Sequence, residues 1–260
     1  MGALTVEPLR FESPVLERAR FRFAPGQVVP RPGAVTVLMG ANGSGKSTAL
    51  RVAAGLLRPA SGAVLVDGID VSTRSAWQRA ARIAFVPQRT LVAAPFTVRE
   101  VVALGRVARP SDAARVDRAL DEVGLSDRAD DAFAALSGGQ QQRTAIARAL
   151  AQLEPTGILL LDEAFAAIDP AETAQTVRLV RRVAGQGTTV LAAAHDLALA
   201  SALADDAWVL RDGGTMAFGR ADEVLTAERA PALLGVAVAS ASGHVGRVLA
   251  PDYRATMHGR

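Results

Sequence analysis

Between the apolar run Val35-Thr36-Val37-Leu38-Met39 and a helix-forming stretch from Ser47 to Leu57 lies Gly40-Ala41-Asn42-Gly43-Ser44-Gly45-Lys46-Ser47. A buried strand that feeds a glycine-rich turn and then a helix restricts the chain to layered α/β architectures. The glycines allow successive backbone N–H groups to turn inward, where a side chain would collide with whatever they hold. The helix opening near Lys46 adds the positive end of its dipole. Lys46 is also the one lysine among 29 basic residues. Elsewhere the chain uses the flat guanidinium fork, and here it keeps a compact ammonium on a flexible stem, suited to reach phosphate oxygens as a point charge. The spacing predicts a loop that grips a triphosphate, with Ser47 offering its hydroxyl to Mg²⁺ and Thr48 following in the first helical turn.

Composition narrows the remaining classes. The chain has 260 residues, half of them apolar, which is enough for one large domain or two modest ones. No apolar run is long enough to span a bilayer and no signal segment opens the chain, so a soluble protein kept in the cytosol is expected. There is no cysteine, which excludes disulfides and thiolate metal sites. His195, His244 and His258 are widely spaced, a poor basis for a structural metal cage. The net charge is +3, but the arginines are interleaved with Asp and Glu, and only 4% of residues are aromatic. Both facts argue against a nucleic-acid partner.

Along the chain, Leu4, Val6 and Arg20-Phe21-Arg22-Phe23 predict antiparallel strands over residues 4–23. Pro25-Gly26 and Pro30-Arg31-Pro32-Gly33 predict turns. A hairpin around Ser61-Gly62 to Asp67-Gly68 is expected next, then a helix near Ser75 to Arg82 and a strand from Ile83 to Val86. Apolar residues three and four apart make Thr97 to Leu153 helical. Strand patterns return at Ile158 to Leu161 and Thr188 to Ala194, flanking a helix at Ala171 to Ala184, which implies a parallel sheet covered on both faces. A closing hairpin follows, from Trp208-Val209-Leu210 through Asp212-Gly213-Gly214 to Met216-Ala217-Phe218. Residues 226–260 carry no clear pattern.

Two further segments carry chemistry. Ile158-Leu159-Leu160-Leu161-Asp162-Glu163 is a buried strand ending in two acids, which strand alternation aims differently: one toward a magnesium shell, one toward an attacking water. In Leu136-Ser137-Gly138-Gly139-Gln140-Gln141-Gln142-Arg143, Ser137 with the N–H groups of Gly138 and Gly139 forms a second candidate phosphate clamp at a helix start. Standing alone, the same residues also read as an ordinary serine N-cap.

With these in order, residues 4–225 resemble the ATP-binding subunits of ABC transporters, whose signature is an LSGGQ-type sequence. The resemblance implies an α/β P-loop NTPase fold: a RecA-like parallel sheet with flanking helices, an N-terminal antiparallel β subdomain and an inserted helical subdomain. Residues 1–88 and 151–225 would form the nucleotide-binding core, 89–150 the helical insert, and 226–260 a C-terminal extension. ATP and Mg²⁺ are the implied cofactors. Gln88 matches the family's Q-loop glutamine at the metal and the water, Asp169 the D-loop at a dimer interface, and His195 the switch histidine at the γ-phosphate. Glu163 would be the general base, Asp162 a metal-shell carboxylate, and Ser137, Gly138, Gly139 and Gln140 the signature contact. The implied partners are a second copy closing head to tail over two ATP molecules, membrane permease subunits and, indirectly, a substrate-binding protein, at the cytoplasmic face of the membrane.

Two departures stand out. Ala164 occupies the position after Glu163 where the family usually has proline, and an altered loop rigidity is expected. No tyrosine occupies the usual adenine-stacking position, which leaves Phe11, or else Phe23, as the expected adenine contact. Phe165-Ala166-Ala167-Ile168-Asp169 resembles the zinc and manganese importers, whereas Glu223-Val224-Leu225-Thr226 and Gly235-Val236 are shared with haem and siderophore importers. The expectation is zinc or manganese uptake, with haem or siderophore uptake as the alternative.

Overall fold

A computed structural model describes residues 9–18, 21–24, 26–90, 92, 94–235, 238–243 and 246–252. The expected strand residues Leu4, Val6 and Arg20, the turn residue Pro25, and Val236, His244 and His258 lie outside these. The strands are β1 (Leu9–Arg18), β2 (Phe21–Phe23), β3 (Gln27–Val28), β4 (Val35–Met39), β5 (Ser61–Val66), β6 (Ile69–Asp70) and β7 (Ile83–Val86). They continue with β8 (Ile158–Asp162), β9 (Thr189–Ala193), β10 (Asp206–Arg211), β11 (Gly214–Arg220), β12 (Val238–Gly243) and β13 (Gly246–Pro251). The helices are α1 (Lys46–Ala53), α2 (Ala76–Ala80), α3 (Val98–Ala103), α4 (Ala113–Glu122) and α5 (Gly138–Gln152). After β8 come α6 (Pro170–Gly185), α7 (Leu197–Leu203), α8 (Ala221–Val224) and α9 (Ala230–Leu234).

Among the described residues the central sheet runs β11-β10-β4-β9-β8-β7. It is parallel from β10 to β7, with β11 folded back on one edge. β4, β8 and β9 are buried at every position, as expected of parallel strands covered on both faces. Strand alternation then splits the core in two. Val35, Val37, Met39, Leu159 and Leu161 point to the side covered by α3 to α7. Leu38, Ile158, Leu160, Leu191 and Trp208 point to the other, where α1 and the antiparallel sheet β2-β1-β5-β6 supply Leu50, Leu9 and Val66.

This topology places the chemistry. In a parallel sheet every strand delivers its C-terminal loop to the same edge. Because β4, β9, β8 and β7 are neighbours, the Gly40–Ser47 loop, His195, Asp162-Glu163 and Gln88 emerge side by side.

Local signals set most of the boundaries. Asp67 (φ 52°) and Gly68 (φ 74°) form the two-residue turn between β5 and β6, and Asp212 (φ 49°) with Gly213 (φ 78°) does the same between β10 and β11. The helix expected from Ser47 to Leu57 is shorter: Gly55 at φ 67° takes the chain out of it just past Ala53. The helical stretch after Thr97 is broken into α3, α4 and α5, and Thr97, Asp112 and Ser137 N-cap these three helices. The unpatterned tail contains β12 and β13, a hairpin whose second strand packs on α7 and buries Leu249. No described helix is long and apolar enough to cross a membrane.

Phe11 corrects one expectation. Its ring is fully buried in β1 and meets Trp208 edge-on, with centroids 4.9 Å apart at 70°. It seals the antiparallel sheet against β10 and offers no face for adenine to stack on. The side chain of Phe23 lies outside the described ones.

Candidate functional site

The loop after β4 is shaped by steric need. Gly40 sits at φ 143°, and a Cβ there would lie 2.2 Å from the Leu210 carbonyl oxygen and 2.6 Å from Ser44 Oγ. Gly43 (φ 80°) and Gly45 (φ 107°) supply further left-handed conformations, and Gly45 caps α1 without a side-chain hydrogen bond. The N–H groups of the first turn of α1 therefore have no capping side chain and open on a cleft of about 500 Å³. Asn42, Gly43, Gly45, Lys46, Ser47, Thr48, Gln88 and Glu163 line it. Ser44 is turned away from it, with a buried hydroxyl that has no partner. Ala41 contributes its carbonyl oxygen, which accepts the Ser44 N–H at 3.1 Å.

Lys46 is 5% exposed. Its ammonium folds back on its own loop and donates to the carbonyls of Gly40 (2.8 Å) and Ala41 (3.1 Å). Burial pulls its pKa below the ordinary lysine value, opposed by the carboxylates of Glu163 and Asp162. An anion entering the cleft would counter that burial directly.

At the end of β8, Asp162 is 1% exposed and accepts the Ser47 hydroxyl at 2.7 Å. Burial pushes its carboxyl above the usual range; the Ser47 hydrogen bond and the Arg51 charge pull it back, while Glu163 adds to the rise. Two hard oxygens thus converge where β8 meets α1. That set suits Mg²⁺, which takes one or two protein oxygens beside substrate phosphate rather than a protein cage. Among the described residues, no three His, Asp or Glu side chains gather to hold a metal. Arg51, whose guanidinium lies 4.0 Å from Asp162, was missed in the sequence. Its signal is the four-residue spacing from Ser47, which puts both on one face of α1.

Glu163 turns differently. It takes φ 49°, a left-handed conformation unusual for a residue with a side chain, just where β8 ends. Ala164 behind it is fully buried. The Glu163 carboxylate reaches into the cleft and accepts a hydrogen bond from Gln88 Nε2 at 2.7 Å. His195, exposed after β9, does not line the phosphate-loop cleft. It shares with Glu163 a neighbouring groove of about 1010 Å³ between α6 and α7.

Asp169 N-caps α6, and the backbone N–H groups of Glu172 and Ala171 hold its carboxyl below the usual range. Ser137 N-caps α5 in a reciprocal box: its hydroxyl accepts the Gln140 N–H, and the Gln140 side chain accepts the Ser137 N–H at 2.9 Å. Ser137, Gly138 and Gly139 do not line the Lys46 cleft. Gly139 is sterically required, since a Cβ there would come within 2.9 Å of the Ala167 carbonyl oxygen. Gly138 is not: its φ is ordinary, and a Cβ would meet nothing within 4 Å.

Comparisons with known proteins agree with this arrangement. A family model described as ABC transporter matches residues 28–166. The hemin import ATP-binding protein HmuV of Rhizobium meliloti is 38% identical over 215 residues, 78% of this chain and 82% of that protein. The cobalamin import ATP-binding protein BtuD of Halobacterium salinarum is 41% identical over 216 residues, 80% of this chain, although the match spans only 54% of that protein. A solved metal-chelate type ABC transporter in an inward-facing conformation aligns with a TM-score of 0.78 at 27% identity, over 95% of this chain and 98% of that one. The phosphate loop after β4, the paired acids after β8 and the capped glycines opening α5 thus stand in a sequence and a fold that agree: the chain belongs to the ABC transporter family, as an ATP-binding, ATP-hydrolysing subunit.

Proposed function

We propose that this subunit powers uptake of a metal chelate of the haem or cobalamin kind. The observation that carries this is the relatives: proteins named for hemin and cobalamin import match 38% and 41% of aligned residues over about four fifths of the chain. The zinc and manganese expectation rested on Phe165 to Asp169. Those residues form the turn into α6, with Phe165 and Ile168 buried and Asp169 capping the helix. In this reading they shape the turn that presents Asp169, and nothing in that role depends on the transported ion.

In this reading Lys46 leaves the Gly40 and Ala41 carbonyls for the β- and γ-phosphates, and the first-turn N–H groups of α1 bind phosphate oxygens. Ser47, Asp162 and Gln88 would hold Mg²⁺, which supplies charge neutralisation on the phosphates. Glu163 takes a proton from the water attacking the γ-phosphate, and His195 steadies that phosphate from the adjoining groove. Ser137, Gly138 and Gly139 act on the nucleotide of a second copy. Residues 89–150 face membrane permease subunits at the cytoplasmic face, and a substrate-binding protein delivers the chelate.

Deleting the gene from its source organism is expected to abolish accumulation of labelled hemin or labelled cobalamin and to leave uptake of zinc-65 and manganese-54 at wild-type rates. Loss of zinc or manganese uptake with normal accumulation of both chelates is the result that overturns the chelate reading. Nucleotide binding itself is expected to weaken in Gly40→Ala. The clash with a backbone carbonyl cannot be relieved by a rotamer change, so the loop must move. That should weaken ATP binding at least about tenfold and destabilise the chain by about 1–3 kcal/mol. Fluorescent-nucleotide titration and urea unfolding measure the two effects.

A further inference from the structure

We infer that Arg143 and Glu172 are a positioning pair that locks the start of α5 and the turn into α6 into one rigid unit, so that Ser137-Gly138-Gly139 and Asp169 reach a second copy together. This deepens the proposed dimeric site and rests on it.

Contact begins in the backbone: Gly139 lies so close to Ala167 that even a methyl group would sit 2.9 Å from the Ala167 carbonyl oxygen. One helical turn further on, Arg143 Nη2 pairs with Glu172 Oε1 in the first turn of α6. The Arg143 side chain is 11% exposed, and its other fork atom, Nη1, donates to the Val123 carbonyl at the end of α4 at 2.8 Å. Cations are favoured at a helix C-terminus, so one guanidinium ties α4, α5 and α6 together. A lysine ammonium lacks the planar fork that holds both acceptors in fixed directions.

The pair also reaches Asp169. The Glu172 N–H donates to the Asp169 carboxylate at 3.0 Å, so the first turn of α6 and its cap move as one. Burial pushes the Glu172 carboxyl up, Arg143 pulls it down, and the Asp169 charge pushes it up again. Arg143 offsets part of this rise, and the Glu172 carboxyl rests above its usual range beside Asp169. Neither Arg143 nor Glu172 lines the Lys46 cleft. Losing the pair should spare binding of ATP to a chain's own phosphate loop and damage what that chain does to its neighbour.

The test compares the full chain with Glu172→Gln, Arg143→Lys and the double variant. MgATP affinity, the Hill coefficient for ATP, kcat and the unfolding midpoint are read for each. Either single change is expected to leave nucleotide affinity within about twofold, bring the Hill coefficient toward 1 and lower kcat about tenfold; the double is no worse than Arg143→Lys alone, because the contact that Glu172→Gln removes is already lost there. Wild-type kcat and Hill coefficient in Glu172→Gln, or losses in both singles that add and follow a falling unfolding midpoint, overturn the pair. A wild-type chain with no cooperative ATP hydrolysis would instead overturn the dimeric site, and the pair with it.

Discussion

Glu163→Gln is expected to bind MgATP as tightly as the parent chain and to hydrolyse it about 10²–10⁴-fold more slowly, the contribution typical of a positioned general base. The substitution is nearly isosteric and its amide oxygen can still accept the Gln88 N–H, so the 2.7 Å contact across the cleft survives. Neither Ser47 nor Asp162 is touched, and their 2.7 Å contact persists. The backbone at φ 49° suits glutamine no worse than glutamate, so folding should be unchanged. What disappears is the basic oxygen that receives the proton from water. Equilibrium titration with labelled ATP and single-turnover phosphate release separate the two quantities. Hydrolysis at the parent rate would remove Glu163 from the base's role and leave the strained turn after β8 without a chemical purpose.

The legible part of this site was the part written in consecutive residues. A strand, a glycine loop and a capped helix each carry local signals, and parallel strands carry their loops to one edge without further instruction. That is why Lys46, Asp162 and Glu163 were legible from local pattern, whereas Gln88 and His195 came only from the family resemblance, and His195 opens on the neighbouring groove. What depended on distant partners was not visible. Phe11 alternates like any strand residue, and only Trp208, supplied from the far end of the chain, makes it core. Arg143 closes the signature stretch in the sequence, while its acceptors, Val123 at the end of α4 and Glu172 in α6, come from two other elements. β12 was missed because Val238-Ala239-Ser240-Ala241-Ser242-Gly243 has one β-branched residue and no aromatic one to mark a strand; its order comes from pairing with β13, which packs on α7. The cargo was not legible for a different reason. A subunit that works on ATP has no residue that must fit the cargo, so short sequence likenesses around Asp169 report on the ATPase.

Mixing two dead variants is expected to bring activity back. Lys46→Ala loses the phosphate ammonium, and Gly138→Asp puts a carboxylate where α5 begins. Each alone should hydrolyse ATP at less than about a hundredth of the parent rate, given the charge that each removes from or adds against a triphosphate. Gly138→Asp should still fold, because the position has ordinary φ and a Cβ there meets nothing within 4 Å among the described residues. An aspartate in the first turn of a helix is electrostatically favourable, which also argues against a folding defect. In a head-to-tail pair built from one copy of each, one interface holds both lesions and the other holds none. The intact interface joins the Lys46 of the Gly138→Asp chain to the Gly138 of the Lys46→Ala chain. An equimolar mixture, in which about half the dimers are of this mixed kind, should recover on the order of a quarter of parental turnover if each site works independently, and less if the two sites must fire together. Activity that stays at the level of the single variants across all mixing ratios, while cross-linking shows mixed dimers forming, would mean that each chain completes its own site. The space around Gly138 would then need another occupant, since nothing among the described residues meets a Cβ there.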